Sequence, residues 1–466
     1  MQAAFTRLAF TRRLWLFATG LAAAAALAGC AAPAPSLAER PPIVFVHGNG
    51  DTAGSWLTTI WRFESNGWPR ERLDAIDLPY PEARADDAQA QVGRTSTAEH
   101  RAFLAAEVDR VLARTGAQKV VLIGNSRGGN AIRSYIAMGG AAKVSSAILG
   151  GTPNHGVWAD AATLPGNEFN GAGPFLMKLN APQGPDGGEV TPGVRWMTVR
   201  SDANDKYAQP EGRWVGRPGV PTNVGAAGPE LKGAENVVIA GIDHRETSYG
   251  PQAFAADWRF LTGSAPATVD VVPESRVVLD GKVSGLGLNN QEGSFASNLP
   301  LAGATIEVYR TNPATGERAG PAVHAKTIGA DGLWGPFTAD PTQTYEFVVT
   351  APGYAITHVY RSPFPRSSSV VNIRAERIAD ADKDAAAIVA MSRPRGYFGV
   401  PRDRISLDGR SPPPGIPSGV AGVARTKIKL ADPTPRSVVG EFDGERIVAR
   451  SWPTAHDHTV TIELTY

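Results

Sequence analysis

The sequence predicts an α/β fold, a mostly parallel sheet with helices on both faces, followed by a C-terminal β-sandwich region. Three observations carry this expectation. Short continuous apolar runs at Pro42–Val46, Val120–Ile123 and Val144–Leu149 alternate with segments of helical period, the pattern of buried parallel strands and crossover helices. Helical periodicity disappears from about Val271 onward. Thr305–Tyr309 and Tyr345–Val349 then alternate polar with apolar residues between turns such as Asp331-Gly332 and Pro352-Gly353. With 51 glycines and 37 prolines in 466 residues the chain needs many tight turns, and 42% hydrophobic residues suffice for large cores.

Taken in order, Pro42-Ile43-Val44-Phe45-Val46 reads as a buried strand running into the tight loop His47-Gly48-Asn49-Gly50. Trp56, Ile60, Trp61 and Phe63 recur at helical spacing until Gly67, and Leu73–Leu78 looks like the next strand. Ser96 with Glu99 forms a capping-box pattern before a helix whose apolar stripe is Phe103, Leu104, Val108, Val111 and Leu112, with Gly116 as its stop. The strand Val120–Ile123 feeds a helix through Ala131, Ile132, Tyr135 and Ile136. Val144–Leu149, Trp196–Val199 and Val237–Ala240 supply the remaining strands. We place a catalytic domain at 42–264, with a turn-rich lid candidate at 155–194 carrying Phe169, Phe175, Leu176, Met177 and Leu179, residues that equally suit core packing. A β-sandwich is expected at 270–376 and a second β-rich region at 377–466.

The N-terminus has Arg7, Arg12 and Arg13, an apolar run from Leu14 to Leu27, and then Leu27-Ala28-Gly29-Cys30, the layout of an export signal over 1–29. Its end resembles a bacterial lipobox, which implies cleavage before Cys30, acylation of that thiol and a lipid anchor in a membrane, periplasmic or at the cell surface. Arg12-Arg13 resembles a twin-arginine signal, so both export routes stay open. Residues 30–41, rich in Ala, Pro and Ser, read as a tether. Cys30 is the sole cysteine, so neither an intrachain disulfide nor a thiolate metal cluster can form. The formal charge of +1 drops to about −2 once the three signal arginines leave, which gives no basic field for nucleic acid.

Gly124-Asn125-Ser126-Arg127-Gly128 has the form G-x-S-x-G and stands between a predicted strand and a predicted helix, the setting in which such a serine is presented above a sheet. A serine hydroxyl needs an imidazole to take its proton and an acid to orient that imidazole. His244, in the loop after the last predicted strand, is the candidate base. His47 and His155 read as loop-holding residues, and His100 as a solvated helix side chain. Asp205 and Asp202 both follow the strand Trp196–Val199. Asp205 is the preferred acid, because Asp205–Pro210 resembles the stretch after the acid in hydrolases of this kind, whereas Asp202 suits a turn cap. Asp243 is an unsuitable orienter, since neighbouring side chains point apart. The backbone N–H groups of Arg127 and Asn49 are the candidate oxyanion donors.

Val44-Phe45-Val46-His47-Gly48, the G-x-S-x-G turn and Leu149-Gly150-Gly151-Thr152-Pro153 together resemble secreted microbial triacylglycerol lipases and carboxylesterases of the α/β-hydrolase fold. Phe260–Gly263 and Pro266–Pro273 are similar to the junction in an archaeal lipase with a C-terminal β-domain, and Pro300–Tyr354 resembles carboxypeptidase-regulatory-like sandwiches. The resemblance implies an exported serine hydrolase that cleaves carboxylic esters through an acyl-enzyme, with Ser126, Asp205 or Asp202, and His244 in the roles above, and with no metal or organic cofactor. Asn125 and Arg127 depart from the residues usual at the turn. The Arg127 cation either favours an anionic or polar substrate or lies on the helix surface, the reading preferred here. A polyester depolymerase of the polyhydroxyalkanoate type and a non-catalytic surface lipoprotein acting as a binding scaffold are the alternatives. Oligomeric state and the ligand of the β-regions are open.

Overall fold

The computed structural model describes residues 39–466 except Pro185, Pro210, 213–217 and 290–292, so the signal segment and Cys30 lie outside the described residues. Six strands, β1 (Ile43–Val46), β2 (Leu73–Ile76), β3 (Val120–Asn125), β4 (Val144–Gly150), β5 (Arg195–Arg200) and β6 (Glu235–Val238), form one sheet of order β2-β1-β3-β4-β5-β6. Every neighbouring pair is parallel. The chain steps from β1 outward to β2 and then returns to the other side of β1 as β3. The loops after β1 and β3 therefore flank a crevice at the carboxyl ends of the strands, where ligands bind in open α/β sheets.

Side-chain alternation along β1 covers both faces of the sheet. Val44 and Val46 join Leu104, Val108 and Val111 of α2 (Thr97–Thr115) and Ile132 and Ile136 of α3 (Arg127–Ala137) in one core. Phe45 points the opposite way, its ring 4.9 Å from Trp56 and 5.8 Å from Phe63 of α1 (Leu57–Ser65). Each such buried aromatic contributes roughly 1.5–3 kcal/mol. The predicted capping box of α2 is present: the Ser96 hydroxyl accepts from Glu99 N at 3.2 Å, and Glu99 accepts from Ser96 N at 2.7 Å. Gly116 ends the helix at φ 67°. His100 is not solvated as expected. It lies one turn before Leu104 on the apolar stripe, is 2% exposed, and burial holds it well below the usual imidazole range.

In the lid candidate, α4 (Pro174–Leu179) buries Leu176 and Leu179 and leaves Met177 exposed. Two short helices, α5 (Glu246–Tyr249) and α6 (Pro251–Thr262), close the first half of the chain.

The two larger sheets of the C-terminal half are built from β7 (Thr305–Arg310), β8 (His324–Thr327), β9 (Tyr345–Thr350), β10 (Ile356–Arg361), β11 (Ala387–Ser392), β12 (Ile405–Leu407), β13 (Arg425–Leu430), β14 (Ser437–Phe442), β15 (Glu445–Arg450) and β16 (His458–Glu463). Seven of them form a sheet of order β8-β7-β9-β10-β16-β11-β13, and β12-β14-β15 form a second. Tyr360, Met391, Phe398, Leu407, Phe442, Ile447 and Ile462 belong to the core that these strands enclose. The boundary expected near 376 does not separate two sheets, because the last strand, β16, inserts parallel between β10 and β11. Sequence alternation shows strands but not which distant strand each one pairs with. Residues Pro41–Tyr466 form one compact unit.

Candidate active site

Strand β3 ends at Asn125 and α3 begins at Arg127, so Ser126 alone makes the turn, at φ 51° and ψ −120°. Such a backbone conformation in a non-glycine residue costs on the order of 1–3 kcal/mol and persists only where the surroundings enforce it. Here the serine N–H donates to Gly150 O at 2.8 Å. Glycine at 128 has a steric cause, since a Cβ there would stand 2.4 Å from Val46 O and 2.7 Å from His47 O. The loop after β1 thus lies directly against the turn.

His244 is 4% exposed, and its Nδ1 is 2.8 Å from Asp205 Oδ2. Asp205 is fully buried, and its other oxygen accepts from Tyr207 N at 2.8 Å. The Tyr207 ring packs 4.4 Å from the imidazole. Among the described residues His244 Nε2 is buried without a hydrogen-bond partner. The base loop touches the serine turn through two groups. Asn125 Nδ2 donates to His244 O at 3.3 Å and to Ser248 Oγ at 3.0 Å. A Cβ on Gly151 would stand 3.0 Å from His244 Nδ1. The Leu149–Pro153 motif thus supplies the close approach on which this packing depends.

Asp202 accepts from Asn204 N at 2.9 Å and Gly241 N at 3.0 Å, and so caps its turn rather than meeting the imidazole. His47 and His155 hold loops as expected. Leu78 N donates to His47 Nε2 at 3.1 Å, with burial holding that imidazole low, and His155 Nε2 is 3.0 Å from Glu189 Oε2. Asn49 is fixed by its side chain, whose Oδ1 accepts from Ala83 N at 2.7 Å. The N–H of Arg127 opens α3 and is one of the first-turn donors without an intrahelical acceptor.

The Arg127 side chain corrects the sequence expectation. It is not on the surface: at 1% exposure it pairs with Glu168, which is 2% exposed, and donates to Pro81 O at 3.0 Å. Desolvation alone would raise the Glu168 carboxyl, and the guanidinium opposes it. Glu168 comes from the lid candidate, so that segment is tied to the first residue of α3.

Residues 40–162 match the family model of class 2 lipases, and residues 275–378 match that of the lipase C-terminal domain. Two segments of the chain are thus similar to lipase domains. A non-heme haloperoxidase of Rhodococcus erythropolis is 31% identical over 112 residues, which are 23% of this chain and 35% of that protein. The chain thus spans about a third of that curated relative's length. Among solved structures, lipase BlEst2 of Bacillus licheniformis in mature form is 23% identical, covering 50% of this chain and 96% of its own at a TM-score of 0.35. Aspergillus fumigatus lipase B is 17% identical, covering 51% and 56% at a TM-score of 0.34. The matched lipase domain contains Ser126 and Asn49 and ends before Asp205 and His244.

Sequence reasoning did not assign Asn125 or Glu168 to this site. A polar residue before the serine and an isolated glutamate in a long loop carry no periodic or spacing signal. The Asp243-x-x-Glu246 spacing around His244 is the signal that could have shown how this loop is held.

Proposed function

We propose that this chain, two segments of which are similar to lipase domains, is a serine hydrolase that cleaves carboxylic esters through an acyl-enzyme. The observation that carries the reading is the 2.8 Å contact of Asp205 Oδ2 with His244 Nδ1, which leaves Nε2 unpartnered on a loop bonded to the turn that bears Ser126. In this reading His244 Nε2 takes the Ser126 proton as Oγ attacks the ester carbonyl, and the ionised Asp205 stabilises the imidazolium. The N–H groups of Arg127 and Asn49 stabilise the oxyanion, a donor being worth about two to three orders of magnitude in rate. The imidazolium then protonates the leaving alcohol, and water, activated by the same base, releases the acid. Export, acylation of Cys30 and membrane attachment belong to the same proposal and are supported by the N-terminal sequence; a covering role of 155–194 is supported by that segment's own turn-rich sequence and apolar residues.

The test is hydrolysis of p-nitrophenyl esters of increasing acyl length by the protein and by Ser126→Ala, Asp205→Ala and Asp202→Ala. Loss in Ser126→Ala, a fall of about 10⁴-fold in kcat for Asp205→Ala and little change for Asp202→Ala support the reading. Activity that peaks on long chains identifies a lipase, and on short chains an esterase. Undiminished activity in Ser126→Ala removes the proposal.

A further inference from the structure

The base loop is held from the far end of the chain. Asp243, fully buried, accepts through Oδ1 from Arg245 N at 2.8 Å and Glu246 N at 3.0 Å, while Glu246 Oε2 accepts from Asp243 N at 2.7 Å. This reciprocal capping box encloses His244 and fixes its backbone at the start of α5. Two carboxylates so placed repel each other and resist burial, and α5 is too short to hold them alone. Both are met by guanidinium groups of the C-terminal region. Arg393 donates to Asp243 Oδ2 at 2.9 Å and Glu246 Oε1 at 2.6 Å, and Arg402 to Glu246 Oε2 at 2.9 Å and Asp243 Oδ2 at 3.2 Å.

Arg393 is itself rigidly mounted. It is 6% exposed, donates to Tyr397 O at 2.8 Å and Tyr466 O at 3.2 Å, and stands 4.4 Å over the Phe442 ring in the C-terminal core. Tyr397 N adds a third donor to Asp243 Oδ2 at 2.8 Å. The acid loop is attached to the same region, with Asp205 bridged to Ala421 and Lys206 Nζ donating to Gly422 O at 3.2 Å.

We propose that Arg393, assisted by Arg402, is a positioning residue for the base: the C-terminal β-region sets the place of His244 by clamping the capping box around it. The inference rests on reading His244 as the base of the reaction. It makes the C-terminal half part of the hydrolytic apparatus and not only a surface-binding appendage. Arg402 is shared with Asp403 at 2.6 Å, whereas the carboxylate partners of Arg393 among the described residues are Asp243 and Glu246 alone. The planar fork of arginine reaches the two carboxylates together, which a lysine cannot do.

The experiment compares kcat and KM for p-nitrophenyl butyrate in the full chain, Ser126→Ala, Arg393→Gln and Arg393→Lys, each with its melting curve. The expected result is a folded Arg393→Gln protein whose kcat is about 100-fold lower with KM within about threefold, because displacement of a reacting group by about 1 Å has that effect. Arg393→Lys should recover part of the loss. A folded Arg393→Gln protein with wild-type kcat overturns the proposal, as does a rise in KM alone. If Arg393→Gln does not fold, Arg402→Gln, whose native side chain is 24% exposed, removes the second arm and is judged by the same kcat and KM criteria. Wild-type activity in Ser126→Ala would instead remove the reading on which the inference rests, whatever Arg393 does.

Discussion

Asn125 joins the serine turn to the base loop: its carboxamide donates to the main-chain oxygen of His244 at 3.3 Å and to Ser248 Oγ at 3.0 Å. The unusual residue before Ser126 is thus a strut between the two halves of the site, buried at 1% exposure. Asn125→Ala should lower kcat by about tenfold to a hundredfold, the rate equivalent of the roughly 1–3 kcal/mol lost when buried acceptors go unpaired. Asn125→Asp should be worse, because an anion would face carbonyl oxygens. Steady-state kinetics on one ester series separates the three proteins.

Arg127 and Glu168 are a buried pair whose partners come from the serine helix and the lid candidate. Arg127→Met should destabilise by about 3–5 kcal/mol, because it strands a buried carboxylate. Combining Arg127→Met with Glu168→Leu should recover much of that loss. Urea unfolding of the two single variants and the double variant checks the non-additivity. If the pair is only structural, the double variant also keeps most of its ester hydrolysis.

Asp257 on α6 is 1% exposed, neither of its oxygens has a partner among the described residues, and burial raises its carboxyl well above the usual range. The folded state therefore holds the proton more tightly than the unfolded state. The stability this gives is complete below the ordinary carboxyl pKa and is lost as pH rises toward the folded value. Asp257→Asn, which cannot ionise, should raise the melting temperature at pH 7, with the gain vanishing near pH 4. A pH series of melting curves on both proteins shows whether the difference follows that sign.

The sheet, its crossover helices and the serine turn were legible because each has a local signal: continuous apolar runs, the Ser96–Glu99 box, and glycines at 124 and 128. The places of His244 and Asp205 after late strands were legible; that Asp205 meets the imidazole while Asp202 caps a turn is visible only in the contact geometry. Arg127 and His100 were misplaced because charge and polarity suggest a surface, whereas Glu168 and the apolar stripe of α2 bury them. Strand pairing in the C-terminal half joins residues as distant as Ile356 and His458, and the grip of Arg393 on Asp243 spans 150 positions of sequence. No local pattern encodes such a contact.

The central claim is that Ser126 is the nucleophile, and the most direct measurement is intact-mass and peptide mass spectrometry after treatment with an activated alkylphosphonate. The account predicts one phosphonyl group per chain, carried on Ser126, with parallel loss of ester hydrolysis and no labelling of Ser126→Ala or of the heat-unfolded protein. Full hydrolytic activity in a protein whose Ser126 is unlabelled, or label on another residue that tracks the loss of activity, would contradict it.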